Sequence, residues 1–209
     1  MQESIDKKDH HILDVKSYID ARRRTSGLKP SFSILELGLD IPDEVMAHPA
    51  IQEMMIAAAD IPAFWNVSDI REMILRRINV INLKDILSYN LEQMRGDDLH
   101  NLITCVMDEY QTDVNGAVLW VEDFLLEAAE RFHAAKVALP EWDEPVNSQV
   151  KVYCDGLGQW VRGLNDWSFE SERYFGSKGL EIKENRWMLL MPKKITTEIG
   201  PVHIDSSLL

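Results

Sequence analysis

Apolar residues recurring at every third and fourth position dominate this chain, and that period is the feature that most restricts its fold. From Ala117 to Phe132 the set Ala117, Val121, Phe124, Ala128 keeps the step, with Val118, Leu125 and Phe132 beside it. From Val146 to Leu164 the set Val146, Val150, Tyr153, Leu157, Trp160, Leu164 does the same. Such spacing lays an apolar stripe along a helix, and the stripe leaves water only by packing on another element. Strict alternation, the mark of a half-buried strand, is confined to a short stretch at Trp187–Met191. Pro30, Pro42, Pro49 and Pro145 suit the first turn of a helix, where a missing N–H leaves nothing unpaired. An all-α bundle is the expected fold, one domain over residues 1–209, with an irregular segment from Phe175 onward and a tail at 193–209.

Charge excludes one class of partner. Lys and Arg number 22 against 35 acidic residues, for a net charge of −13, so no broad basic face is expected for nucleic acid. A local cluster can still hold a phosphate group. The two cysteines, Cys105 and Cys154, read as buried thiols of a reducing compartment. No apolar run approaches the roughly 18–20 residues that span a bilayer. The opening MQESIDKKDHH lacks the apolar stretch of a secretory signal. A soluble, cytoplasmic monomer or homodimer is the expectation, without membrane insertion.

Three groups of residues can carry chemistry. In Asp85–Glu92 (DILSYNLE), Ser88 and Glu92 lie four apart and share a helix face. A hydroxyl and a carboxylate so placed suit a hard cation, although a solvated face has the same spacing. Arg173-Tyr174 follows Trp167–Glu172 (WSFESE), where a guanidinium can grip phosphate oxygens or pair with Glu170 or Glu172. Arg22, Arg23 and Arg24 end a helix begun at Asp14 and are followed by Thr-Ser-Gly27. They can face an anion or complement the helix dipole. Trp65, Trp160 and Trp167 can offer π faces to a cation, with core packing the plainer expectation for each.

In order along the chain these groups read RR-x-TSG-x-KP, D-I-x-SYN-x-EQ-x-x-GDD-x-HN, W-S-FESERYFG-x-KG and RW-x-x-L-x-PK. That order, from about Val15 to Lys193, resembles the C-terminal part of fungal, basidiomycete-type class I terpene synthases of the sesquiterpene synthase kind. The resemblance implies the α-helical bundle of that class with its N-terminal helices missing. It implies an Asn/Ser/Glu set for Mg²⁺, of which Ser88 and Glu92 match the second and third members. Arg173 and Tyr174 match a pair that holds the diphosphate, Arg23 matches an arginine that senses it, and Gly27 matches a helix break toward the substrate. The implied reaction is Mg²⁺-dependent loss of diphosphate from a prenyl diphosphate, farnesyl diphosphate first, and cyclisation of the cation left behind. The resemblance thus predicts that Ser88 and Glu92 face the same cavity as Arg23. A chain-elongating prenyltransferase has two Asp-rich motifs in place of the Ser/Glu set and the Arg-Tyr pair, so the residues favour the cyclase. A non-catalytic helical remnant that binds a partner is the alternative of another class.

Two departures bear on activity. No Asp-rich helix precedes the arginine cluster, and the residue before Asp85 is Lys84, whose ammonium repels a cation. Residues 67–84 form an atypical helical insertion; without them Asn66 abuts Asp85 and completes the set as Asn66, Ser88, Glu92. The stretch begins Val-Ser and ends in Lys, which the codons GTA-AGT and AAG encode, so it reads either as an unspliced intron or as a genuine insertion. Sequencing the transcript decides: an Asn66–Asp85 junction is expected, and a cDNA that keeps codons 67–84 throughout makes the insertion genuine. Incubated with Mg²⁺ and farnesyl diphosphate, the 209-residue chain is expected to give no appreciable terpene on extraction.

Overall fold

Helix starts follow from local chemistry. The computed structural model describes residues 12–61, 83–185 and 191–192. Asp14 caps α1 (Val15–Thr25) by accepting the Ser17 N–H at 2.9 Å. After the short α2 (Leu28–Ser33) and α3 (Asp43–Met46), His48 caps α4 (Pro49–Asp60), with Pro49 in the first position. α5 (Leu83–Arg95) leads through a 3₁₀ turn at Asp98–His100 to α6 (Leu102–Glu109), capped by Asn101. Asp113 caps α7 (Val114–Val137), and α8 (Val146–Glu170) starts directly after Pro145. Pro30 is the third residue of α2, and Pro42 immediately precedes α3. Among the described residues no strand occurs, so the all-α expectation holds.

The core sits where α4 crosses α7, with α6 packed along α7, α8 against α4, and α1 against α6. α4 buries Ala50, Ile51, Met54, Ala57 and Ala58; α7 buries Ala117, Val121, Leu125, Ala128 and Phe132. Both sets step by three and four, as one helix face requires. The predicted α7 stripe is displaced at one point. Leu125 is fully buried, whereas Phe124 is half-buried. In α8, Val150, Tyr153, Leu157 and Val161 enter the core, while the half-buried Trp160 packs on its edge and Leu164 lies on a flank considered below.

One expectation is corrected. The segment after Phe175 is not irregular throughout: a 3₁₀ turn at Gly176–Lys178 runs into α9 (Gly179–Asn185), which packs on α8. Residues 187–190 and the tail at 193–209 lie outside the described residues, as do 67–82 of the insertion; Leu83 and Lys84 open α5. Cys105 and Cys154 are both buried free thiols, and burial pushes the Cys154 thiol up to about 11. Among the described residues no helix is long and apolar enough to cross a membrane.

Tyr153 is fully buried, and its hydroxyl has no hydrogen-bond partner among the described residues. Burial raises its pKa well above that of an ordinary tyrosine. An unpaired buried hydroxyl costs about 1–3 kcal/mol. Tyr153→Phe is therefore expected to raise the thermal midpoint by roughly 2–4 °C per kcal/mol recovered, read by circular dichroism.

Candidate functional site

One face of α1 carries Tyr18, Ile19, Arg22 and Arg23, at steps of one, three and four, and Ser26 follows at its C-terminal cap. That face forms one wall of a cavity of about 310 Å³. α1 then stops: the Ser26 N–H donates to the Arg22 carbonyl at 2.9 Å, and Gly27 takes φ +71°. A β-carbon disfavours that left-handed backbone, so glycine is the residue for the break. The chain resumes as α2, where Ser31 also reaches the cavity. The helix is therefore interrupted at Gly27.

Arg23 is held from behind. Its Nε–H donates to Asp60 Oδ1 at 2.7 Å and its Nη2 to Oδ2 at 2.7 Å, a two-point grip on the carboxylate. Asp60 is the last residue of α4, and only 2% of its side chain is exposed. Arg131 of α7 donates to the same Oδ2 at 2.6 Å and to Glu53 Oε1 at 2.7 Å. The bonds to Asp60 hold the Arg23 guanidinium above its usual pKa, against the effect of burial. For Arg131 burial acts downward, and the bonds to Asp60 and Glu53 outweigh it.

The opposite wall comes from the second half of α8. Trp160, Leu164, Trp167 and Ser168 continue the helical step past the core and face the cavity. Trp160 also packs edge-on against Phe32, with ring centroids 5.4 Å apart, so it serves both core and wall. Phe124 of α7 faces the same space, which accounts for its incomplete burial. Leu102, Ala59 and Asp60 complete the wall from α6 and α4.

Beyond α8 the chain turns back on itself. The Ser171 N–H closes the helix on the Trp167 carbonyl at 2.9 Å, and Glu172 takes φ +57°. Arg173 and Tyr174 are thereby carried to the lining of the cavity. The Arg173 guanidinium lies 5.9 Å from the Trp167 ring centroid and 5.6 Å from that of Tyr174. It forms no ion pair with Glu170 or Glu172, the alternative that its neighbours suggested. α9 seals the turn, its first residue Gly179 lying against the Phe169 carbonyl. Arg23, Arg173 and Tyr174, distant in sequence, line one cavity.

Ser88 and Glu92 do share a face of α5, but among the described residues they are not part of the cavity wall. The Asn101 Nδ2 donates to Ser88 Oγ at 3.4 Å and to Glu92 Oε2 at 3.0 Å. That amide draws both oxygens toward the start of α6, one residue short of Leu102 on the wall. Because the two oxygens converge on one nitrogen, they can also converge on one cation. Hydroxyl and carboxylate oxygens suit a hard ion that takes its remaining ligands from phosphate and water. Among the described residues no cluster of three or more His, Cys, Asp or Glu forms a metal site. Asn66 and Trp65 lie outside the described residues.

The rest of the SYNLEQ string has a structural task. Asn90 Oδ1 accepts the Met191 N–H at 2.7 Å, and Gln93 Nε2 donates to the Met191 carbonyl at 2.6 Å. Both amides are buried and grip the main chain of the RW-x-x-L-x-PK segment. Asp60, Arg131 and Asn101 were not singled out by sequence. A lone carboxylate closing the apolar run Ile56–Ala59 was the available signal, since a buried acid requires a partner.

The architecture belongs to a known class. A linalool/nerolidol synthase from Streptomyces clavuligerus superposes with a TM-score of 0.64 at 20% identity, covering 80% of this chain and 53% of that one. A germacradien-4-ol synthase from Streptomyces citricolor gives a TM-score of 0.57 at 23% identity over 75% of this chain and 46% of that one. The fold is therefore that of class I terpene synthases.

Sequence comparison identifies the family. Residues 1–131 match the family model described as terpene synthase family 2, C-terminal metal binding, and the chain belongs to the terpene synthase family. It is 47% identical over 210 residues to a Delta(6)-protoilludene synthase of Stereum hirsutum, covering 100% of this chain and 52% of the relative. Against a Delta(6)-protoilludene synthase of Armillaria gallica it is 43% identical, covering 99% of this chain and 55% of that one. Sesquiterpene synthase 1 of Postia placenta is 38% identical over 92% of this chain and 52% of its own length. The chain spans about half the length of the curated relatives it matches.

The Gly179 contact tests how the Arg-Tyr pair is positioned. A β-carbon there would sit 1.8 Å from the Phe169 carbonyl oxygen, so backbone must move. Gly179→Ala is expected to lower stability by about 1–3 kcal/mol. Urea titration followed by tryptophan fluorescence measures the loss; unchanged stability would mean that α9 is not packed on Phe169 as described.

Proposed function

We propose that this chain carries the diphosphate-capturing part of a sesquiterpene cyclase that ionises farnesyl diphosphate. One observation carries the reading: a single cavity sets three arginines, Arg22, Arg23 and Arg173, against a wall of Phe124, Trp160, Leu164 and Trp167. A ligand with a compact anionic head and an apolar tail matches both halves. The relatives named as sesquiterpene and protoilludene synthases support the choice of cyclase and of chain length.

Each residue has a role in this reading. Arg173, packed over Trp167 and Tyr174, presents its guanidinium to the diphosphate from the cavity lining, with the Tyr174 phenol beside it. Arg23 adds a second cation from α1, at the helix that ends in the Gly27 break. Together they favour the charge that develops on the leaving group. Phe124, Trp160 and Trp167 keep water from the hydrocarbon and turn π faces toward it. Ser88 and Glu92 would hold Mg²⁺, with Asn66 as third ligand once residues 67–84 are absent; when bound, the ion neutralises the diphosphate as a Lewis acid. The two buried thiols support a cytoplasmic location.

Calorimetric titration of the full chain with inorganic diphosphate and Mg²⁺ tests the reading. Arg173→Ala is expected to weaken binding roughly 10–100-fold, the worth of a charge-assisted hydrogen bond. Glu92→Gln is expected to reduce the part of the affinity that depends on Mg²⁺. A folded wild-type chain that binds no diphosphate at millimolar concentration overturns the assignment.

A further inference from the structure

Arg23 lines the cavity and is held by a two-point carboxylate grip from a nearly dry position. We propose that Asp60 is a positioning residue for diphosphate capture: it fixes the Nε–Nη2 edge of Arg23, and Arg131 shares the Asp60 carboxylate so that Arg23 does not carry the whole of its charge. The inference rests on the reading of the cavity as a diphosphate site.

The geometry supports each part. A guanidinium on a flexible stem loses rotamer freedom when it binds an anion, unless something has already fixed it. Here Asp60 takes two donors on one edge of Arg23, while the third nitrogen, Nη1, makes only a long 3.4 Å contact to Asp20. A carboxylate that fixes a cation also cancels it. Arg131 takes part of that carboxylate's charge, since it donates to the same Oδ2 at 2.6 Å, and it is not among the described residues lining the cavity. Glu53 in turn holds Arg131 at 2.7 Å and keeps it directed at Asp60. Asp60 itself lines the cavity from the end of α4, so the grip lies at the wall.

Two measurements on the full chain test this. Nitrogen-15 NMR should show an Arg23 Nε–H resonance slow to exchange with water, assigned by its loss in Arg23→Lys and lost also in Asp60→Asn. Titration with inorganic diphosphate should show Asp60→Asn binding about tenfold more weakly than wild type, the worth of one charge-assisted bond. In an Arg23→Met background, Asp60→Asn should cost nothing further, because Asp60 acts through Arg23. Arg131→Gln should weaken binding several-fold, and Arg131→Lys should recover most of the loss.

A folded Asp60→Asn protein with wild-type affinity overturns the inference, and so does an equal loss in the Arg23→Met background. Absence of a protected Arg23 resonance in the wild type does the same. Should Asp60→Asn not fold, Arg131→Gln decides alone, and wild-type affinity there overturns the inference. A wild type that binds no diphosphate removes the functional reading, and this inference falls with it; the other outcomes leave that reading standing.

Discussion

Three helices meet at one buried carboxylate. Asp60 ends α4, Arg23 reaches it from α1 and Arg131 from α7. A carboxylate moved out of water costs several kcal/mol even after relaxation, and removing one partner of a buried pair costs about 3–5 kcal/mol. Both arginines keep about a third of their side chains exposed, at 32% and 36%, so the net gain is smaller than for a dry cluster. The geometric consequence is firm. α1, α4 and α7 cannot slide past one another without exposing Asp60 alone to the interior. The cavity wall uses residues from all three helices, so its shape depends on this junction.

A single apolar period then does two jobs. Over Val150–Val161 the α8 stripe fills the core; from Trp160 to Ser168 the same step continues beyond the α4–α7 crossing and lines an open space. Phe124 sits at the corresponding boundary on α7, with Trp120 stacked beside it at 5.8 Å. The aromatic wall is thus the core stripe extended past its packing partners, and no separate sequence signal marks where packing ends.

That explains which parts were legible in the sequence. Helical spans follow from rules acting over one or two turns, so the helix begun at Asp14 and the long apolar stripes were readable, whereas the caps at Asn101 and Asp113 were not read. The convergence of Arg23, Arg173 and Tyr174 was reachable because the order of motifs resembles a family. Composition alone favoured dipole pairing for one arginine and a surface ion pair for the other. The Asp60 junction was not legible, because its partners lie 37 and 71 residues away. That Ser88 and Glu92 are not among the described residues lining the cavity was not legible for a related reason. Nothing about the i, i+4 spacing shows that Asn101, capping a different helix, takes both oxygens. α9 was read as irregular because its seven residues are too few to show a period.

The two halves of the proposed site are joined by a short strut. Tyr18 lies on the same α1 face as Arg23, and its hydroxyl donates to the His100 carbonyl at 3.1 Å. The next residue, Asn101, caps α6 through Ile103 at 2.9 Å and holds Ser88 and Glu92. Leu102 then returns to the cavity wall. Three consecutive residues therefore tie the arginine-bearing helix, the Ser88–Glu92 pair and the apolar wall to one another. Asn101 is fully buried, and its amide is oriented by the fixed Ile103 N–H on one side. The direction in which it presents its donors to Ser88 and Glu92 is set by the helix cap, not by the pair it holds. A cation recruited to that pair must replace or share those donors. The donor facing Ser88 and Glu92 is thus oriented by helix α6, and Tyr18 ties the start of that helix to the helix that carries Arg23.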